Sequence, residues 1–148
     1  MVEYKIGNLL DAPVNYICHQ VNCQGRMGSG IAKQIRERWP VVYDSYIQVA
    51  SPVWLGCIQK VVVDIPQKTV INMFSQEYYG YDGKRYTSYD AFWSCLGAIR
   101  DSVPKGSKIG FPYKIGCGLG GANWQVISTM IIEVLGKDYD VYIYSLEE

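Results

Sequence analysis

The sequence predicts an α/β protein with three layers, in which helices cover both faces of a central β-sheet of about six strands. Short apolar segments with the composition of strands alternate along the chain with longer segments that repeat apolar residues at helical spacing. A sheet whose strands alternate with helices is covered on both faces. The length of 148 residues suits one domain spanning the whole chain, and no internal repeat or linker divides it.

Six segments are predicted as strands from their alternating or β-branched apolar residues. In the first, Val2, Tyr4 and Ile6 alternate with charged residues, which is typical of a half-buried strand. The predicted strands are 2–6, 14–21, 57–65, 69–74, 108–112 and 140–146.

Four segments are predicted as helices, and three of them have a recognisable start. Pro40 suits the first turn of the second helix. Thr87 or Ser88 can cap the third helix, and Asn123 can cap the fourth. The predicted apolar faces consist of Ile31, Ile35 and Trp39, of Val42, Tyr46 and Val49, of Tyr89, Phe92, Trp93, Leu96, Ile99 and Val103, and of Trp124, Ile127, Ile131 and Val134.

The charge and cysteine content argue against several function classes. Fourteen basic residues balance fourteen acidic ones, so no net positive charge attracts the chain to nucleic acid or to an anionic membrane. No stretch is long and apolar enough to span a bilayer, and the N-terminus lacks the pattern of a secretory signal. The five cysteines are odd in number and mostly lie in apolar segments, which favours reduced thiols. We therefore expect a monomer in the cytoplasm (of a host cell, if the source is viral) that uses no metal and no cofactor.

Two glycine-rich loops each lie between a predicted strand and a predicted helix. They belong to the segments HQVNCQGRMGSGIAKQI, residues 19–35, and YKIGCGLGGAN, residues 113–123. In open α/β sheets, ligands bind where such loops leave the carboxyl ends of the strands. Glycines let backbone N–H groups converge on one point, and a helix N-terminus favours an anion. Either loop alone is better explained by tight turns or helix caps, but the pair in matching positions predicts a phosphate-bearing ligand.

The familiar nucleotide-binding motifs are not supported. The second loop matches G-x-G-x-x-G, but a dinucleotide fold needs a full βαβ unit after this motif, and only one helix and one strand follow. The single histidine, His19, ends a predicted strand close to Asn22. It is either a core residue or a general acid–base group that faces the ligand. Cys23 and Cys117 lie in the loops without an adjacent base in the sequence, so neither is predicted to act as a nucleophile.

Four segments together resemble the motifs of a known family. These are GNLLDAP, HQVNCQGRMGSGIAKQI, FPYKIGCGLGGANW and VYIYSL, which look like a macrodomain, the α/β/α module that binds ADP-ribose. The likeness covers nearly the whole chain, with the motifs in the family's order. It is strongest to the small stand-alone branch that contains ADP-ribose-1''-phosphate phosphatases and terminal ADP-ribose glutamate hydrolases. The resemblance implies a mixed central sheet and small ADP-ribose derivatives as ligands.

The resemblance also implies which residues meet the ligand. Asn8 stands where macrodomains usually have an aspartate that accepts a hydrogen bond from adenine, and Asn22 matches the residue that holds the distal ribose. Tyr144 or Ser145 would lie near the adenine. The predicted ligand-binding residues are Gly7, Asn8, Leu9, Gln20, Asn22, Cys23, Met27, Gly28, Ser29, Gly30, Ile31, Pro112, Ile115, Gly116, Cys117, Gly118, Leu119, Gly120, Gly121 and Tyr144.

Two positions depart from the pattern of the glutamate-deconjugating hydrolases. Those enzymes carry an aspartate where this chain has Gly120 and a lysine where it has Ser75. The departures disfavour de-ADP-ribosylation by that route and leave hydrolysis of ADP-ribose-1''-phosphate as the predicted activity. It would be slow and metal-independent, with His19 and Asn22 as candidate catalytic residues and backbone N–H groups stabilising the phosphoryl oxygens. The alternatives are a non-catalytic ADP-ribose-binding module and, behind it, a de-ADP-ribosylating hydrolase. An RNA-binding or scaffold domain is disfavoured by the neutral charge.

The segment SQEYYGYDGKRYTS, residues 75–88, predicts a long exposed loop because it is polar, aromatic and dotted with glycine. It leaves a predicted strand at the same edge of the sheet as the glycine loops. Its tyrosines Tyr78, Tyr79 and Tyr81 either cover the ligand or pack the loop onto the domain.

Overall fold

The computed structural model describes residues 1–63 and 67–147, and it confirms the three-layer α/β fold. The strands are β1 (Val2–Ile6), β2 (Tyr16–Asn22), β3 (Ile58–Val63), β4 (Lys68–Gln76), β5 (Lys108–Pro112) and β6 (Asp140–Ser145). The α-helices are α1 (Gly30–Arg38), α2 (Pro40–Val49), α3 (Tyr89–Ser102) and α4 (Trp124–Leu135), and short 3-10 helices span Leu9–Asp11 and Pro52–Trp54. The last two residues of the strand predicted at 57–65 lie outside the described residues.

The six strands form one mixed sheet in the order β1-β6-β5-β2-β4-β3. Its neighbouring strands run parallel except β3 and β4, which are antiparallel. The carboxyl ends of β2, β4 and β5 therefore lie at one edge of the sheet, where loops to the next elements leave. This edge is where ligands bind in open α/β sheets.

The helix starts follow from local capping chemistry. The side-chain oxygen of Asn123 accepts hydrogen bonds from the backbone N–H groups at the start of α4, and Pro40 occupies the first turn of α2. Of the two candidate caps for α3, Ser88 is the one used: its hydroxyl accepts from the N–H of Ala91 at 3.1 Å. The side chain of Thr87 is thereby left for other contacts.

The core is divided between the two faces of the sheet. Buried side chains of α1 and α2 pack on one face, and those of α3 and α4 pack on the other. Along β2, Ile17 and Val21 belong to the first face and Cys18 to the second, as expected from the two-residue period of a strand. The same alternation directs His19 to the α1/α2 face and Gln20 to the α3/α4 face. None of the described helices combines the length and apolar character needed to cross a lipid bilayer.

Candidate functional site

A cleft with a volume of about 560 Å³ opens at the carboxyl ends of β2, β4 and β5. This volume falls within the roughly 300–1,000 Å³ typical of small-molecule sites. Three segments form its walls: the first glycine loop, residues 23–29, with the start of α1; the second glycine loop, residues 113–121; and the tyrosine loop, residues 77–87.

Asn22, at the end of β2, shapes the first glycine loop. Its side-chain N–H donates to the carbonyl oxygen of Arg26 at 2.8 Å, and its side-chain oxygen accepts from the N–H of Gln24 at 2.9 Å. The hydroxyl of Tyr46, on α2, lies 2.8 Å from the same side-chain oxygen and accepts from the N–H of Gly25 at 3.1 Å. These bonds fold the loop tightly, and Gly25 adopts a φ of 78°, which favours glycine.

The end of the first glycine loop and the start of α1 present unpaired backbone donors. Ser29 is the N-cap residue, but its side chain makes no capping hydrogen bond. Among the described residues, the N–H groups of residues 27–32 have no backbone acceptor, as expected at a helix N-terminus. The first turn of α1 carries no acidic side chain, so the positive end of the helix dipole at the cleft is not neutralised there.

The second glycine loop makes a matching surface on the opposite wall. Gly116 has a φ of 76° and Gly121 a φ of 71°, so both depend on the conformational freedom of glycine. Within the described part of the chain, the N–H groups of Gly118, Leu119 and Gly120 have no backbone acceptor. Two sets of free amide donors therefore border one cleft.

The tyrosine loop crosses from the second glycine loop to the first. Tyr79, Gly80 and Tyr81 line the cleft, and the hydroxyl of Tyr81 lies 3.4 Å from that of Ser29. Tyr78 is exposed and is not part of the cleft wall. Of the two roles considered for this loop, its position over the cleft favours a cover for the ligand.

Every charged side chain that lines the cleft is basic. These residues are Arg26, Arg36 and Lys114, and the described lining contains no aspartate, glutamate or histidine. Lys114 has a φ of 59°, which is uncommon for a residue other than glycine. The cleft therefore suits an anionic ligand.

Comparisons with known proteins identify the fold. No family model matches the chain. A curated Mycobacterium tuberculosis protein named DNA ADP-ribosyl glycohydrolase is 26% identical over 150 residues, which cover 97% of this chain and 42% of that protein. The structure of the macrodomain of Mycobacterium tuberculosis DarG is 24% identical, with a TM-score of 0.81 and 97% of each chain covered. The chain has a macrodomain fold.

A further solved structure, Thermosipho africanus DarTG in complex with ADP-ribose, has a TM-score of 0.78 and 20% identity. The match covers 96% of this chain and 41% of that chain. The chain thus spans about two fifths of the length of the two curated mycobacterial proteins that it matches.

The structure brings most of the predicted ligand-binding residues together in the cleft. Those that line it are Gln20, Asn22, Met27, Gly28, Ser29, Gly30, Ile31, Pro112, Ile115, Gly116, Gly118, Leu119 and Gly120. The predicted residues outside the lining are Gly7, Asn8, Leu9, Cys23, Cys117, Gly121 and Tyr144. Asn8 instead caps the 3-10 helix that follows it, where its side-chain oxygen accepts from the N–H of Leu10 at 3.0 Å.

His19, the candidate general acid–base residue, does not reach the cleft. It is fully buried, and its ring Nε2 lies 2.5 Å from the side-chain oxygen of Asn72. Burial lowers the pKa of His19 to about 4, although the hydrogen bond with Asn72 opposes this shift. His19 is therefore a neutral core residue near pH 7. Asn22 does line the cleft, but its side chain is occupied by the bonds that shape the first glycine loop.

The cysteines carry no sign of an activated thiolate. All five are free: Cys18, Cys23 and Cys95 are buried, Cys117 is partly buried and Cys57 is exposed. Burial raises the pKa of Cys23 to about 11 and also raises that of Cys117, so both remain thiols near neutral pH.

Several residues that line the cleft were not predicted to do so from the sequence. They are Val21, Gly25, Arg26, Ala32, Arg36, Tyr43, Gln76, Gly80, Tyr113 and Lys114. Arg26 and Lys114 lie inside the two glycine loops, so their positions in the sequence could have indicated that they line the cleft. No local sequence pattern indicates that Arg36 and Tyr43 line the cleft. The two residues come from different helices, and the guanidinium of Arg36 stacks 3.6 Å from the ring centroid of Tyr43.

The two positions that depart from the hydrolase pattern both lie next to the side chain of Gln20. Ser75 is buried, and its hydroxyl donates to the side-chain oxygen of Gln20 at 2.7 Å. A Cβ atom on Gly120 would overlap the hydroxyl of Thr87 and would lie 2.5 Å from the carbonyl oxygen of Gly116. An aspartate at position 120 would therefore not fit without movement of these neighbours.

Proposed function

We propose that this macrodomain binds ADP-ribose, with the diphosphate held between the two glycine loops. The observation that carries the proposal is the convergence of two sets of unpaired backbone N–H groups, one of them at the N-terminus of α1, on a single cleft. Such donors and the helix dipole together form an anion site. The basic lining residues add favourable charge, and the related Thermosipho africanus protein is described in complex with ADP-ribose.

The proposal is tested at Ser29, the N-cap residue that faces the cleft. We expect calorimetric titration of the wild type with ADP-ribose to show one site. A Ser29→Asp variant places a carboxylate where the diphosphate would sit, and we expect it to lose at least about tenfold in affinity from like-charge repulsion. The Ser29→Asn variant is the matched control, because asparagine is equally suited to an N-cap and carries no charge. Both variants should keep the melting temperature of the wild type. A wild type that gives neither heat nor a thermal shift with ADP-ribose would contradict the proposal.

A second candidate function is hydrolysis of the bond that links ADP-ribose to DNA. The observation in its favour is the name of the curated relatives, DNA ADP-ribosyl glycohydrolase, which this chain matches over 97% of its own length. Ser75 and Gly120 weigh against the lysine- and aspartate-based route. Turnover of an ADP-ribosylated DNA oligonucleotide, measured as release of free ADP-ribose, tests this candidate directly.

The phosphatase prediction relied on His19 as the acid–base residue, and its burial removes that support. We expect no phosphate release from ADP-ribose-1''-phosphate, since no aspartate, glutamate or histidine lies in the described cleft lining. Phosphate release at equal rates from the wild type and a His19→Gln variant would show a phosphatase that works without His19.

A further inference from the structure

A cluster of uncharged polar side chains lies beneath the second glycine loop. This Gln20 cluster consists of Gln20, Ser75, Gln76 and Thr87, contributed by the ends of β2 and β4 and by the residue before the cap of α3. Ser75 and Thr87 are buried, whereas Gln20 and Gln76 also line the cleft. The cluster thus connects the core to the ligand site.

The hydrogen bonds of the cluster run in one consistent direction. The hydroxyl of Ser75 donates to the side-chain oxygen of Gln20 at 2.7 Å. The hydroxyl of Thr87 donates its proton to the carbonyl oxygen of Gly116 and must therefore accept from Gln20, which identifies the Gln20 nitrogen as the donor of the next bonds. That nitrogen donates to the side-chain oxygen of Gln76 at 2.6 Å and to the hydroxyl of Thr87 at 2.8 Å. Both N–H bonds of the amide are therefore used, and the side chain of Gln20 has one defined orientation.

Thr87 links the Gln20 side chain to the backbone of the second glycine loop. Its hydroxyl accepts from Gln20 and donates to the carbonyl oxygen of Gly116 at 2.8 Å. The backbone N–H groups of Tyr86 and Thr87 donate to the carbonyl oxygen of Gly120 at 2.8 and 3.0 Å. Two carbonyl oxygens of the loop are thus bonded on the protein side, where they cannot repel a phosphate.

The two glycines pack directly on the cluster. A Cβ atom on Gly116 would lie 3.0 Å from the side-chain oxygen of Gln20 and 3.1 Å from the hydroxyl of Thr87. At Gly120 a Cβ atom would overlap the same hydroxyl. The shape of the loop and the orientation of these two side chains therefore depend on each other.

We propose that Gln20 and Thr87 are positioning residues that hold the second glycine loop in the conformation that receives the ligand. This inference rests on the proposed binding of ADP-ribose in the cleft. Thr87 acts through the loop backbone, because it is absent from the cleft lining. A hydrogen-bonded pair of this kind keeps the loop ordered before binding, so less conformational freedom is lost when the ligand arrives.

The test replaces the hydroxyl of Thr87 while keeping its shape. A Thr87→Val variant removes the donor to Gly116 and the acceptor for Gln20, and we expect about a tenfold loss of affinity for ADP-ribose. A Thr87→Ser variant keeps the hydroxyl and should bind within about threefold of the wild type, well above the affinity of the valine variant. Thr129→Val is the matched control: this exposed threonine donates to the carbonyl oxygen of Gln125 on α4, and its loss should leave the affinity unchanged.

Nuclear magnetic resonance of the ligand-free protein separates this inference from the proposed function. In ¹H–¹⁵N spectra, Thr87→Val should shift the amide signals of Gly116, Gly118 and Gly120, whereas Thr87→Ser should leave them close to the wild type. This result would support positioning of the loop even if ADP-ribose were not the ligand. Equal affinities for the valine and serine variants, with unchanged loop signals, would overturn the inference.

A second variant covers the case in which Thr87→Val does not fold. Ser75→Ala removes only the hydroxyl that bonds to the side-chain oxygen of Gln20, and we expect about a threefold loss of ADP-ribose affinity with the same amide signals displaced. Wild-type affinity and wild-type loop signals in this variant would count against the proposal.

Discussion

His19 and Gln20 are neighbours in β2, yet one belongs to the structure of the core and the other to the ligand site. His19 lies on the α1/α2 face and forms a cluster with Asn72 and Gln59, here called the His19 cluster. The side-chain oxygen of Asn72 contacts the His19 ring, and the side-chain N–H of Asn72 donates to the side-chain oxygen of Gln59 at 3.0 Å. Gln20 lies on the α3/α4 face, where the Gln20 cluster reaches the cleft. The difference shows that a polar residue near a strand end is available to a ligand only where the side chains packed around it leave it uncovered: His19 is fully buried, whereas Gln20 is partly exposed.

The two clusters also differ in their response to pH. The His19 cluster contains a titratable ring whose Nδ1 has no hydrogen-bond partner among the described residues. The Gln20 cluster contains only amide and hydroxyl groups, which remain uncharged over the physiological pH range. We therefore expect acid to weaken the His19 cluster, and hence the fold, while leaving the Gln20 cluster unchanged.

The largest predicted effect is the loss of stability in acid through His19. Its folded-state pKa of about 4 lies below the ordinary value of 6.5, so the unfolded chain binds the proton more readily. The contribution of neutral His19 to the free energy of unfolding is complete above about pH 6.5, and it is lost as the pH falls towards 4. The full loss is about 3 kcal/mol.

Urea unfolding at a series of pH values measures this effect. A His19→Gln variant keeps a polar partner for Asn72 but cannot titrate, so its stability should depend less on pH than that of the wild type. Since the carboxylates titrate in both proteins, the difference between the two curves isolates His19. Parallel curves between pH 7 and pH 4 would contradict the assignment of His19 as a buried neutral group.

The second prediction breaks the Gln20 cluster by adding one methyl group. Gly120→Ala forces the new Cβ atom into the hydroxyl of Thr87 and the carbonyl oxygen of Gly116, and we expect a loss of about thirtyfold in ADP-ribose affinity from overpacking of the loop. Gly97→Ala is the control, because its Cβ atom would meet only the side chain of Arg100, at 3.8 Å. Alanine also favours the interior of α3, so this control should melt slightly higher and bind like the wild type. An unchanged affinity in Gly120→Ala would mean that the loop does not depend on the cluster beneath it.

The third and smallest of these effects, after those of His19 and Gly120, concerns the tyrosine loop, which Gln76 and Thr87 anchor to the Gln20 cluster. Tyr81 lines the cleft, so Tyr81→Ala should lower the affinity for ADP-ribose by about fivefold through the loss of aromatic contact area. Tyr78→Ala is a matched change in the same loop at an exposed side chain outside the cleft lining, and it should have no effect. Fluorescence or calorimetric titrations of the two variants measure the difference. Equal affinities would show that the loop packs on the domain without covering the ligand.

Much of the fold could be predicted because its signals are local. The cap at Asn123 and the helix start at Pro40 depend on residues within one turn, and the structure has both. The glycine loops could be located in the same way, since turn residues stand between strand and helix patterns. Their N–H groups face one cleft because parallel strands end at one edge of the sheet.

The functional assignment of individual polar residues was less predictable. His19 and Asn22 both stand near the end of β2, and the chain order does not distinguish a side chain that meets the ligand from one that shapes a loop. The roles of Ser75 and Thr87 depend on contacts with Gln20 from distant parts of the chain. No local pattern in the sequence reports such contacts.

The amino-acid sequence by itself determined the six strands and four helices, the starts of three of these helices, and the two glycine loops, because hydrophobic periodicity, capping and turn chemistry act between near neighbours. The tertiary structure alone decided that His19 enters the core and that Thr87 bonds to the second glycine loop. Burial and hydrogen bonding between distant segments make these choices, since the packing of helices on each face of the sheet determines which side chains lose contact with water.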